Sequence, residues 1–410
     1  MPDQRHGTLL ALRQRGLVLF VASRFFAGAG MTLLRATFAW QVYEITGSAF
    51  QLGLLGLAQF VPTLTLSLLG GAVADSFDRR RVVLFAQAAA LLGSAILFRT
   101  SAAGEPSLWL LYGVVVATAA ASSFEGPSRA ALLPTLVPRE LFPSAVTLQS
   151  TVQQLGWVTG PVLMGFVIDA AGVGTAYALH VGLMVISLAL LAFVRAPWTE
   201  GRSRDLSLRA IGEGIAFVRS RQAVLGAMTL DMFAVIFAGA TALLPIYAEE
   251  ILRVGPRGYG LLSSSLELGA FLMAAVLLVR RPIQQPGRAL LLAVGAFGLA
   301  TIVFGLSRSF PLSVGAFVVA GMADQVSMVT RATLIQLSTP DALRGRVSSV
   351  NLVFIGASNQ LGAVESGLVA GLFGATFSVV SGGVACLAVL AWIAMRMPAL
   401  RGYRVDSHGL

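Results

Sequence analysis

Apolar residues run along this chain in stretches of about twenty, separated by short polar gaps that nearly always carry arginine. A helix rises about 1.5 Å per residue, so roughly 20 apolar residues match the ~30 Å hydrocarbon core of a bilayer. The runs fall at 17–43, 51–74, 82–98, 108–128, 145–170 and 175–194, then at 224–248, 259–279, 289–306, 310–330, 347–370 and 373–395. They are too long and too uniformly apolar for barrel strands, which alternate over about ten residues. Backbone groups in lipid must be satisfied within the element or its closed sheet, so the pattern predicts twelve membrane-spanning helices.

One long polar stretch separates six runs from six. It carries Arg202, Arg204, Asp205, Arg209, Glu213, Arg219 and Arg221, while Leu208, Ile211, Ile215 and Val218 are spaced for one helical face. That pattern predicts an amphipathic helix lying on the cytoplasmic membrane surface. The chain is thus read as an N-terminal six-helix half (1–195), a linker (196–222), and a C-terminal six-helix half with a short tail (223–410). The first run holds Arg24 and Arg35 and is too long for a signal-peptide core, so it is expected to remain as a helix.

The two halves repeat one another. Ser128-Arg129-Ala130-Ala131-Leu132-Leu133 returns as Thr330-Arg331-Ala332-Thr333-Leu334-Ile335, and Pro138, Leu141 and Gln149 match Pro340, Leu343 and Asn351. Beyond that point a four-residue shift, about one helical turn, aligns Gly156 with Gly362 and Gly165 with Gly371. Parallel repeats of this kind place a substrate cavity near the membrane midplane at the seam between halves.

Charge then orients the chain. Only 12% of residues are charged, the net charge is +10, and every basic residue other than three histidines is arginine. With both termini inside, the cytoplasmic segments collect Arg5, Arg13, Arg15, Arg79, Arg80, Arg81, Arg139, the linker set, Arg280, Arg281, Arg288, Arg344, Arg346, Arg396, Arg401 and Arg404. The opposite loops keep only Arg99, Arg253, Arg257 and Arg308. This asymmetry predicts cytoplasmic termini, and it assigns the positive charge to topology and anionic lipid rather than to nucleic acid. Cys386 stands alone, and His6, His180 and His408 are scattered, so neither a disulfide nor a metal site is expected, and no cofactor. A G-x-x-x-x-G-K-[ST] loop is absent, and no nucleophile–base constellation appears, so the chain is not expected to be an enzyme.

Two segments carry mechanism. The first is Gly70-Gly71-Ala72-Val73-Ala74-Asp75-Ser76-Phe77-Asp78-Arg79-Arg80-Arg81 after the second run. It resembles the G-x-x-x-D-x-x-G-R-R loop signature of the major facilitator superfamily, with Ser76 and Asp78 departing from it. Glycines permit close helix approach, Asp75 can pair at a helix N-terminus, and Arg79 and Arg80 can hold acidic or phosphate partners. With Gly71, Arg129 and Arg331 these residues form the expected cytoplasmic gate. The second segment, Gly156-Trp157-Val158-Thr159-Gly160-Pro161-Val162-Leu163-Met164-Gly165, looks like the G-x-x-x-G-P motif of the superfamily's exporters, with Met164 in place of a usual glycine. Gly156 and Gly160 present a smooth groove, and Pro161 removes a backbone hydrogen bond. A purely structural kink would read the same way.

Trp40-Gln41-Val42-Tyr43, Pro340-Asp341 with Arg344-Gly345-Arg346-Val347, and Asn359-Gln360-Leu361-Gly362 with Glu365-Ser366-Gly367 extend the resemblance over nearly the whole chain. They are similar to the enterobactin-exporter-like branch of bacterial transporters. The resemblance implies a monomeric inner-membrane exporter of an amphipathic small molecule, a siderophore, drug or metabolite, driven by proton antiport through alternating access. An importer or facilitator of the same fold, or a non-transporting membrane sensor, remains open at this level.

Ionisable groups inside a span cost at least ~2.5 kcal/mol on insertion scales and therefore face a partner or a cavity. Asp231, Glu365, Asp324 and Glu267 are the acidic candidates for proton coupling or substrate contact, and Arg24 and Arg35 the basic ones. Arg24 and Asp231 lie at matching depths in the first span of each half, which suits either a charge pair across the seam or two separate interfacial groups. Glu125 and Arg129 form an i, i+4 pair in the favourable order. His180 is expected to hydrogen-bond between helices.

Overall fold

The computed structural model describes residues 10–194, 208–237, 239–280 and 283–403. Arg5, His6, Arg202, Arg204, Asp205, Arg281, Arg404 and His408 lie outside the described residues. So do the side-chain surroundings of Gly71, Asp75, Leu208, Arg209 and Ile211.

Every regular element among the described residues is helical. The chain opens with α1 (Arg15–Thr46), α2 (Ala49–Ser76), α3 (Arg79–Ala102) and α4 (Leu108–Leu132). A continuous helical segment, Phe142–Ala192, is broken at Gly172, whose φ of 78° and ψ of 171° are not helical, giving α5 (142–171) and α6 (173–192). The linker forms α7 (Leu208–Ser220). Then come α8 (Gln222–Phe237), α9 (Gly255–Val279), α10 (Pro286–Leu306), α11 (Phe310–Ser338), α12 (Asp341–Phe373), α13 (Ala375–Arg396) and a terminal turn α14 (Pro398–Arg401). Among the described residues, eleven segments are long and apolar enough to cross a membrane, and the one broken at Gly172 supplies two of the twelve spans.

Local sequence explains where these helices start and stop. Asp78 caps α3 by accepting from the Arg80 N–H at 3.0 Å, and Ser107 caps α4. Gly47 ends α1 in the left-handed region at φ 57°, its N–H returning to the Tyr43 carbonyl at 2.7 Å.

Two expectations need correction. The repeat does not shift by a turn after the fourth span. The offset relating Arg129 to Arg331 also relates Gly160 to Gly362, Gly165 to Gly367 and Gly172 to Gly374, and the last pair both occupy positive φ at the end of their helix. The seventh span, expected as one helix over 224–248, is discontinuous. α8 stops at Phe237, and a 3-10 turn (Ala240–Leu243), a short turn (Leu244–Ile246) and a π turn (Tyr247–Ile251) complete the crossing. Pro245 has no N–H for the Thr241 carbonyl, and Gly239 sits at φ −72°, ψ 45°, outside helical geometry.

The residues divide into two compact units. Unit 1 is Met1–Gly47, Ala58–Arg204 and Gly255–Ser264; unit 2 is Ser48–Leu57, Asp205–Val254 and Ser265–Leu410. In unit 1, α1 packs along α5 and α6 while α3 packs on α4. Leu17, Phe20 and Val21 of α1 meet Val83, Leu132, Leu133, Ala145 and Leu191 in its core. In unit 2, α10 packs on α11 and α13, and α8 on α12 and α13, around Val224, Met228, Leu290, Val294, Leu334, Cys386 and Ile393. Large apolar side chains also stand outward, Trp109 being 87% exposed, as a lipid-facing surface requires. The linker helix is less superficial than its pattern suggested. Val218 is buried in the unit 2 core, Phe217 packs against it, and Glu213 pairs with Arg346.

Candidate functional site

Seven polar residues from five helices meet inside unit 1. Arg24 on α1 donates through Nε and Nη2 to Oε1 of Gln153 on α5, at 3.2 and 2.9 Å. Arg129 on α4, only 1% exposed, donates through Nε to Oε1 of Glu125 at 2.6 Å. Gln87 on α3 donates to the same Glu125 oxygen at 3.1 Å. Ser187 Oγ on α6 lies 3.1 Å from Gln87 Oε1 and 3.0 Å from Ser23 Oγ, which carries the chain of contacts back to α1. Arg24 is within electrostatic reach of both Arg129 and Glu125. Sequence reasoning picked out the charges and missed Gln87, Gln153, Ser23 and Ser187. A glutamine inside an apolar span is the available signal, because lipid leaves it no partner except another helix. Arg35, three turns beyond Arg24, is exposed on α1. His180 is fully buried, and neither ring nitrogen has a hydrogen-bond partner among the described residues, so the expected helix–helix bond is absent there.

The arginines of the motif loop bind helix ends. Arg79 Nη1 donates to the Ala131 carbonyl at 3.1 Å, and Arg80 donates to the carbonyls of Leu191, at 3.2 Å, and Ala192. Those carbonyls belong to the last turns of α4 and α6, which carry the negative end of the helix dipole and have acceptor capacity to spare. Peptide carbonyls are thus among the partners of Arg79 and Arg80.

The exporter-type motif is a helix-packing surface. A Cβ on Gly156 would lie 2.9 Å from the Phe25 carbonyl oxygen, and one on Gly160 only 2.3 Å from the Ala29 oxygen, so both glycines seat α5 on the α1 backbone. Pro161 and Gly165 face the start of α9. A Cβ on Gly165 would lie 2.6 Å from the Pro256 oxygen, and one on Gly260 would lie 2.4 Å from the Pro161 oxygen. Nearby, Arg257 pairs with Asp169 at 2.7 Å. The repeat holds in unit 2, where Gly362 meets the Val235 and Ile236 backbone of α8, and Gly367 meets Gly53 of α2.

Unit 2 holds the acidic candidates. Asp231 on α8 is buried and pairs with Arg331 on α11, itself 4% exposed. Each member of the suggested Arg24–Asp231 pair thus has a polar partner in its own unit. Asp324, two turns before Arg331, lines a cavity of about 100 Å³ with Thr241, Thr301, Asn359, Phe297 and Phe317. Gly239, Ala240 and Thr241 of the interrupted span form one wall. Glu365 is half-buried and accepts from Ser366 Oγ at 3.4 Å. Glu267 is half-buried on α9, next to Leu266 of the cavity wall. Among the described residues no group of three or more histidine, cysteine or acidic side chains could hold a metal ion.

Comparison with known proteins places the chain by family and fold. Residues 7–408 fit the family model described as transmembrane secretion effector. The enterobactin exporter of Escherichia coli strain UTI89 is 26% identical over 388 residues, which is 93% of this chain and 92% of that protein. That of Shigella boydii serotype 18 is 25% identical over 387 residues, with the same shares covered. A solved POT family transporter in complex with 5-aminolevulinic acid superposes with a TM-score of 0.73 at 15% identity, covering 94% of this chain and 97% of that one. A bacterial homologue of the human lysosomal transporter Spinster gives 0.64 at 14% identity, covering 98% and 96%. The relatives are multi-span membrane transporters of small molecules, not enzymes, and the structural neighbours share the twelve-helix fold. With a family match running from one end of the chain to the other, the protein belongs to the transmembrane secretion effector family of the major facilitator superfamily.

Proposed function

We propose that the protein exports an amphipathic small molecule, of the kind the enterobactin exporters carry, by alternating access in exchange for protons. Asp324 carries the reading. It is a carboxylate on a cavity beside an interrupted span, flanked by hydroxyls, an amide and two aromatic rings. Discontinuous helices let unwound backbone and polar side chains face a cargo or ion at membrane depth. A carboxylate there can release a proton when cargo binds and regain one from the opposite side. Asp231 suits that task less, because Arg331 already neutralises it. The termini are assigned to the cytoplasm on the arginine distribution, and the chain is taken to work as a monomer in the bacterial inner membrane.

The test is made in inverted membrane vesicles whose lumen is acidified by respiration and monitored with a pH-quenched acridine dye. Adding enterobactin, or a macrolide from a panel, should restore fluorescence as cargo enters and protons leave. Asp324→Asn should abolish that recovery. Cargo uptake that persists after nigericin and valinomycin collapse the gradients would sink antiport, and net release from loaded vesicles in place of uptake would sink export.

A further inference from the structure

The polar layer of unit 1 is short of negative charge. Arg24 and Arg129 bring two cations within electrostatic reach of one another, and among the described residues Glu125 is the acid shown interacting with them. In a low-dielectric interior a surplus charge is expensive unless something compensates it. Hydrogen-bond donors are also left over. Arg129 spends only Nε on Glu125, while its Nη1 and Nη2 are buried with no hydrogen-bond partner among the described residues. Arg24 spends both of its described donors on one neutral amide oxygen. The fold does not demand this surplus. In unit 2 the repeat-related Arg331 likewise leaves its Nε buried without a hydrogen-bond partner among the described residues, but it is matched by one acid, Asp231, so the charge balance is what differs between the two. An aromatic face lies alongside: Trp157, one turn beyond Gln153, packs where a Cβ on Gly28 would sit 3.6 Å from its ring.

We propose that Arg24 and Arg129 form a binding site for the acidic group of an amphipathic organic acid, a carboxylate or phenolate borne by the cargo. A guanidinium fork matches a planar anion in a bidentate fashion, and the ring of Trp157 suits an aromatic body next to that anion. The proposal rests on the export reading for its cargo, whereas the site itself can be tested without any gradient.

Equilibrium dialysis of the purified protein in phosphatidylcholine nanodiscs, with 2-naphthoate and the uncharged 2-naphthamide as probes, makes the measurement. Naphthoate should bind saturably and the amide at least about tenfold more weakly, the cost of losing charge-assisted hydrogen bonds. Arg24→Gln should weaken naphthoate by a similar factor and leave the amide unchanged. Glu125→Gln, which removes the competing anion, should tighten naphthoate, and this variant keeps the test decisive if Arg24→Gln fails to fold. Equal binding of acid and amide would overturn the proposal, as would unaltered naphthoate affinity in either variant. Loss of naphthoate binding in phosphatidylglycerol nanodiscs, or its displacement by inorganic phosphate, would assign the site to headgroup or phosphate and also overturn it. Failure here leaves proton antiport standing, and failed antiport leaves this binding measurement intact.

Discussion

Two aspartates on neighbouring helices of unit 2 have opposite surroundings, and substitution should separate them. Asp231 is locked to Arg331, whereas Asp324 faces a cavity. Removing one partner of a buried ion pair leaves the other charge uncompensated and typically costs about 3–5 kcal/mol. Asp231→Asn should therefore lower the thermal unfolding midpoint in detergent clearly, and adding Arg331→Gln to it should recover part of the loss. Asp324→Asn strands no partner charge, so its midpoint should hold while proton-coupled transport is lost. If Asp231→Asn unfolds at the wild-type temperature, the pair contributes no stability and the two acids exchange roles. The sequence identified both acids by their cost in a span, but not their partners. Asp231 and Arg331 lie on helices far apart in the chain, as do Arg24 and Gln153, 129 residues apart. Nothing in local spacing joins such groups.

At the scale of an element, glycine spacing forecast close packing of α5, and the structure supplies its partner. Gly160 admits α1 so closely that an added Cβ would lie 2.3 Å from the Ala29 oxygen and 2.8 Å from the Leu33 nitrogen. Backbone cannot yield as a flexible side chain can, so the helices must separate. Gly160→Ala should destabilise by about 1–3 kcal/mol. Gly126→Ala, where no atom lies within 4 Å of the new Cβ, should be neutral or slightly stabilising, because alanine favours helix over glycine. Thermal unfolding of the two variants side by side decides it, and equal midpoints would refute the packing role of Gly160. Helix existence and the G-x-x-x-G groove were legible because bilayer thickness and close approach leave direct marks on composition. The break in the seventh span was not, although Gly239 and Pro245 announce it. A run of apolar residues reads as one helix when hydropathy is averaged across it, and a discontinuity emerges only when each backbone donor is accounted for.

Across the whole molecule the strongest sequence signal is the arginine asymmetry, and the structure adds a physical reason to retain it. Arg79 and Arg80 do more than mark a loop, since they cap the carbonyl ends of α4 and α6 in unit 1. Their charges therefore stay where helix dipoles favour them, while lipid electrostatics favours the same end facing the cytoplasm. The capping contacts hold in either orientation, so the lipid term alone predicts one, which chemistry on whole cells can check. The native thiol, Cys386, is fully buried, so an introduced cysteine will be read against a low background. Glu105 is exposed between α3 and α4, and Glu140 is exposed between α4 and α5, at opposite ends of α4. A membrane-impermeant maleimide applied to intact spheroplasts should label Glu105→Cys and spare Glu140→Cys until the membrane is permeabilised. Neither substitution touches an arginine, so the topogenic signal is unaltered. Reversed labelling would place both termini outside. It would also contradict the arginine distribution as a guide to topology.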